Sequence, residues 1–167
     1  HDISGTYDPL LIRWASQESL SDWTPTATNT AGDKRLAGDA TRIVRAIRAN
    51  REIAIHTNSG LHIQRFLGPP DTFGIVQVGK ECGLIGQNAT TEMDGRVFWM
   101  SNSKQFFSYS GRVEVLPCPV RRFVFDNIDY LHVDKIYAGT NRTFNEVIWL
   151  YQSSNSTSDI DRYVIFN

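Results

Sequence analysis

At 167 residues the chain is long enough for one domain with a hydrophobic core of its own. With 41% hydrophobic and 21% charged residues it is no disordered tail, and a net charge of −1 excludes binding of nucleic acid through overall charge. Two cysteines, Cys82 and Cys118, are too few for a disulfide framework and lack CxxC spacing, so buried free thiols are expected.

Residues 1–40 read as an N-terminal strand followed by a long polar loop. The segment Ser21–Asp39, "SDWTPTATNTAGDKRLAGD", is small and polar with no period. Loops of that length are often functional, which makes Trp23 and Arg35 candidates for contact with a partner. Residues 41–80 form a first unit, with strands expected at Ile43–Ala49, Arg51–Thr57, Leu61–Phe66 and Phe73–Val78. Arginines recur through its start at Arg42, Arg45, Arg48 and Arg51; the β-branched Ile43, Val44 and Ile47 favour a strand over a helix there. Asn58-Ser59-Gly60 reads as the turn, which sets Thr57 opposite Leu61 and His56 opposite His62. Gly68-Pro69-Pro70 breaks the ladder, because proline has no N–H to give.

Residues 81–118 hold a second unit, with strands expected at Ala89–Met93, Arg96–Ser101, Gln105–Tyr109 and Arg112–Leu116. Asp94-Gly95 is a strong two-residue hairpin signal, since both central positions of a type I′ turn need positive φ. In "QFFSYSG" the Phe107 and Tyr109 face is the more apolar, as a half-buried strand requires. Residues 119–167 give a third, incomplete unit: a crossing through "LPCPVRRFVFDNIDYLHVDK", then a hairpin with a long polar turn over Glu146–Asn167.

The three units repeat. Ile53, Phe98 and Ile148 hold matching places 45 and then 50 residues apart, a period in the range of β-propeller blades. The expected fold is therefore all-β and propeller-like, with consecutive four-stranded antiparallel meanders and a ring left incomplete. Three blades close no ring, the first residue is His1 rather than Met, and a strand runs into Asn167; together these suggest a piece of a longer protein. No apolar run reaches the roughly 18 residues of a membrane-spanning helix, so no membrane insertion is expected.

Signatures of catalysis are absent: there is no GxSxG, Walker loop or HExxH. His56 and His62, facing each other across a hairpin, are the best metal candidates, yet no third ligand is evident and a surface histidine pair is the simpler reading. Asp159 with Asp161 and Asp126 with Asp129 are the acidic pairs to test for glycosidase chemistry. Trp99 and Trp149 align in the repeat, which points to packing between sheets.

Read together, "LIRWASQESLSDWTPTATNTAGDKRL", "LHIQRFLGPPDTFG", "ECGLIGQNA", "GRVFWM", "FFSYSGRVEVLPCPV" and "FDNI" resemble a group of bacteriophage and prophage tail-associated virion proteins, akin to nozzle or tail tubular proteins. The resemblance runs from about Leu11 to Phe166. It implies a non-enzymatic structural part of a virion tail or head–tail connection, assembled in the bacterial cytoplasm without a cofactor. It further implies a symmetric, hexameric ring of copies around the DNA exit path, in contact with other tail or connector proteins. Channel-lining candidates are then Arg45, Arg48, Arg121 and Arg122, acting transiently and without sequence preference through phosphate charge. The alternatives are a carbohydrate- or receptor-binding propeller of a tail and a propeller glycoside hydrolase.

Overall fold

The computed structural model describes residues 2–3, 6–157 and 159–167. It is an all-β protein whose strands form five antiparallel sheets, and among the described residues none closes into a barrel. Two short ladders open it, β1 (Asp2–Ile3) with β2 (Thr6–Tyr7) and β3 (Leu11–Trp14) with β4 (Gly32–Arg35). The first large sheet is a four-stranded meander of β5 (Ile43–Ala49), β6 (Glu52–Thr57), β7 (Gly60–Gly68) and β8 (Thr72–Lys80). The second repeats that order with β9 (Thr90–Met93), β10 (Arg96–Met100), β11 (Phe106–Tyr109) and β12 (Val113–Val115). After a crossing that carries helix α1 (Arg121–Asn127) and a 3-10 segment (Tyr130–Lys135), the third sheet has three strands: β13 (Tyr137–Asn141), β14 (Glu146–Tyr151) and β15 (Arg162–Phe166).

Three expectations change. The loop Ser21–Asp39 is interrupted by β4, which pairs with β3 so that Leu11 opposes Arg35 and Trp14 opposes Gly32. Gly32 is required there: a side chain on it would run into the Trp14 ring. The turn between β6 and β7 is one residue shorter than expected, which puts Ile55 opposite His62 and His56 opposite Leu61. The hydroxyl of Thr57 accepts from the Gly60 amide at 2.9 Å and from the Ser59 amide at 3.3 Å. That clamp makes Gly60 a strand residue, and its missing side chain lets the Gly79 carbonyl approach. Because strand side chains alternate, the one-residue slip sends His56 and His62 to opposite faces. Lastly, β11 is buried along its whole length, on both faces.

That double burial follows from stacking. One face of the second sheet meets the first: Trp99 lies edge-on to His56, with ring centres 5.1 Å apart, and stacks on Phe107 at 5.5 Å. The other face meets the third sheet and α1, with Phe106 against Trp149 at 4.9 Å and Phe125 at 5.2 Å. Each tryptophan also satisfies its N–H: Trp99 donates to the Cys82 carbonyl at 2.8 Å and Trp149 to that of Ala89 at 3.1 Å. A smaller core of Leu10, Leu36, Ala40, Ile55 and Ile75 joins the N-terminal segment to the far face of the first sheet.

The sheets are arranged as a fan. Strand β5 comes within 8 Å of β9, and β9 within 8 Å of β13, so the first strand of each meander meets the next along one edge. Their hairpin turns follow suit: Gly95 lies against Asn50, and Arg142 reaches Asp94 at 3.5 Å. Asp94 and Gly95 both have positive φ, +52° and +83°, as the Asp-Gly signal requires.

Two glycines test how tightly the crossing is packed. A side chain on Gly86 would fall on the Val133 carbonyl, whereas one on Gly139, in β13, would meet open space. Gly86→Ala should therefore lower stability by about 1–3 kcal/mol, with Gly139→Ala nearly neutral, as read from urea midpoints. Equal effects would show that the crossing is not held where it stands.

Candidate functional site

The features that join the sheets, and the strand faces that nothing joins, are where this fold offers a site. On β5, Arg45 points toward the second sheet and Arg48 away from it, since Arg45 pairs with His56 and Arg48 with Ile53 in the β5–β6 register. Arg45 is spent on the seam: its Nη1 donates to the Gln87 carbonyl and to Asn88 Oδ1, each at 3.0 Å. Arg48 is exposed. Arg121 and Arg122 sit on α1 instead, exposed, with Arg122 3.5 Å from Asp126 one helical turn on. The four arginines thus belong to two elements with different surroundings. Since strand side chains stand across the sheet plane, Arg45 and Arg48 project from the two opposite faces of the first sheet.

Neither His56 nor His62 is at the surface; they are 0% and 2% exposed. His62 Nε2 lies 2.9 Å from the Ala37 carbonyl on the N-terminal side of the first sheet, while His56 Nε2 lies 3.2 Å from Thr90 Oγ1 on the other. The Thr90 hydroxyl also reaches the Phe98 carbonyl at 3.1 Å. Satisfying both bonds requires Thr90 to donate to Phe98 and His56 Nε2 to donate to Thr90. His56 is then the neutral Nε2–H tautomer, and its Nδ1 is a buried acceptor with no partner. Burial first, and then the nearby Arg45 charge, push its pKa down to about 3 from 6.5. Among the described residues no group of three or more His, Cys, Asp or Glu is placed to hold a metal.

On the same face of β6 as His56, at the strand's other end, is a polar clamp that pattern reading missed. Tyr109 Oη of the second sheet donates to Glu52 Oε2 of the first at 3.0 Å. Arg65 binds the same pair, with Nε 2.5 Å from Glu52 Oε1 and Nη2 3.2 Å from Tyr109 Oη. Desolvation, and then the bond to Glu52, raise the Tyr109 pKa, so the phenol keeps its proton. Glu52 and Arg65 are opposed in the β6–β7 register, but that pairing depends on the turn length that the sequence left wrong.

The loop candidates are locally tied. Trp23 donates its Nε1 to the Leu20 carbonyl at 2.9 Å, leaving the ring half exposed, and Arg35 pairs with Asp8 at 2.9 Å. Leu10's backbone amide, and then Arg35, hold Asp8 below the usual carboxylate range. One member of each acidic pair is bound into local structure. Asp161 accepts from Ser153 N and Oγ, each at 2.7 Å, and Asp129 accepts from Leu131 N and His132 Nδ1 at 2.9 and 2.7 Å. Cys82 is a buried free thiol, raised by burial to about 11; Cys118 is also free but only half-buried.

Two recesses open on the far face of the first sheet. One, of about 220 Å³, is lined by Arg48, Arg51, Ile53, Gln64, Phe66 and Phe73 among others. The other, of about 420 Å³, runs over Phe66, Pro69 and Phe73 toward Gln17 and Thr30. At the opposite end of the stack, the outward face of the third sheet exposes Tyr137, Leu150, Tyr163 and Ile165. No family model matches the sequence, and no curated protein matches it.

The buried neutral His56 gives the first seam a pH dependence. Above pH 6.5 both folded and unfolded chains leave it uncharged. Below that, the unfolded chain takes up a proton that the folded one refuses until about pH 3. Stability should fall by up to about 1.4 kcal/mol per pH unit in this window. His56→Gln should show a flatter dependence in urea melts between pH 7 and pH 4; parallel curves would rule out a neutral buried imidazole.

Proposed function

We propose that this chain is a non-enzymatic, propeller-like segment of a phage virion tail or head–tail connection, a stiff wall beside the DNA exit path. The observation that carries the reading is the fan: three meanders stacked face to face, with their first strands converging on one edge. Blades of a propeller are arranged in this way about their axis. The order of segments that resemble tail-associated proteins supports the virion part. In this reading stiffness is the function. Buried aromatic seams, each pinned by buried or half-buried polar bonds, resist hinging of one sheet on the next. The partners are copies of the chain and neighbouring tail or connector proteins, and any contact with DNA is brief and made through phosphate charge.

Immunogold labelling of purified particles with antibodies to this chain should decorate the tail or the head–tail junction, with mass spectrometry giving a ring-like multiple per particle. A protein abundant in lysate but missing from intact particles would overturn the proposal. So would turnover of a glycan lost on replacing one of its carboxylates.

A further inference from the structure

We propose that the outward face of the third sheet docks head to tail on the uncovered part of the first sheet of a second copy. The inference rests on stacking within the chain, not on the virion reading. Counting from the first residue of the second strand in each meander, Glu52, Arg96 and Glu146 are equivalent; so are Ala54, Phe98 and Ile148, and His56, Met100 and Leu150. These are the residues that face the next sheet. In the first two sheets that face is covered: Ala54, Phe98, His56 and Met100 are all buried. In the third, Leu150 is 41% exposed.

The backward face shows the reverse pattern. Ile53, Val97 and Val147 are equivalent and look toward the preceding sheet; Val97 and Val147 are 0% exposed, whereas Ile53 is 38% exposed. The strand pair β3–β4 covers only part of the first sheet and leaves the recess around Arg48, Arg51 and Ile53 open. One molecule thus presents an uncovered forward face at one end and an uncovered backward face at the other.

Charge agrees with the pairing. Glu52, the counterpart of Glu146, accepts a bond from the next sheet through Tyr109. Among the described residues the Glu146 carboxylate accepts from Asn141 Nδ2 at 3.3 Å and forms no ion pair. Among the described residues neither Arg48 nor Arg51 forms an ion pair. Within the chain each first hairpin turn lies beside that of the next sheet, Asn50 by Gly95 and Asp94 by Arg142. Continuing that register sets Glu146 of one copy opposite Gln64 of the next, over the recess that Gln64 lines with Arg48 and Arg51. Contact through different patches on the two partners is heterologous, so it propagates to a ring or an open stack.

Sedimentation velocity over a concentration series tests this. The chain should associate reversibly, and either Leu150→Glu or Ile53→Glu alone should weaken association at least tenfold with the melting temperature unchanged. Mixed in equal amounts, the two variants should form a dimer and nothing larger, since each keeps one intact face. Arg48→Glu should weaken association and Glu146→Arg should restore it in the double variant. A chain that stays monomeric overturns this interface but leaves the tail reading intact, because particle labelling decides that separately. Loss with Leu150→Glu but not with Ile53→Glu would mean that third sheets pair with each other, which also overturns it.

Discussion

The constraint on which the rest of this structure depends is that the central strands of the second sheet, β10 and β11, have no solvent face. An antiparallel sheet usually packs one side and wets the other. Here Phe106 and Phe107, neighbours in one strand and pointing opposite ways, are both buried. Each must be covered from a different side: Phe107 stacks on its sheet-mate Trp99, whose ring meets His56 of the first sheet, and Phe106 packs on Trp149 of the third sheet and Phe125 of α1. A chain that makes this demand cannot fold its meanders independently; the middle one is stable only with the flanking two in place.

Apolar contact alone would allow the sheets to slide, because burial has no direction. The polar groups set into the seam remove that freedom. Thr90 bridges His56 of the first sheet to the Phe98 carbonyl of the second, and Tyr109 reaches across to Glu52 and Arg65. Each bond is available at one register only, and moving by a residue would strand a buried donor or acceptor at a cost of about 1–3 kcal/mol. Fixed register is what turns a stack of sheets into a stiff body. The unpartnered Nδ1 of His56 is the weak point in this arrangement, because burial and then the nearby Arg45 charge oppose its protonation.

Much of the fold was legible because its punctuation is chemical. Asp94-Gly95 and the alternation around it located the second sheet to within a residue or two, and the repeat predicted the burial of Trp99 and Trp149. Two of the errors were errors of one residue. Taking Asn58-Ser59-Gly60 as the whole turn put two buried histidines on one exposed face, because the Thr57 hydroxyl bonds that shorten it leave no periodic trace. Matching Ile53 with Phe98 and Ile148, when Ala54 is the equivalent of those two and Ile53 corresponds to Val97 and Val147, hid which residues face forward. Strand β4 escaped notice because "GDKR" has no apolar alternation; it is held by its partner β3 and by Trp14 over Gly32. The clamp of Glu52, Arg65 and Tyr109 joins residues more than forty positions apart, and no local pattern carries such information.

With the equivalences set straight, the exposed residues acquire a meaning that none has alone. Single apolar side chains on a surface are ordinary. Leu150 and Ile53 differ in that each is the uncovered member of a set whose other members are buried by the same kind of contact. The surface left open at each end therefore has the composition of an internal seam. It is apolar at the centre, with an acidic residue at one end of the stack and two arginines at the other. A sheet whose neighbours on the same plan are always covered is unlike a free surface in the way that matters for association: the shape that fits it is already present elsewhere in the molecule.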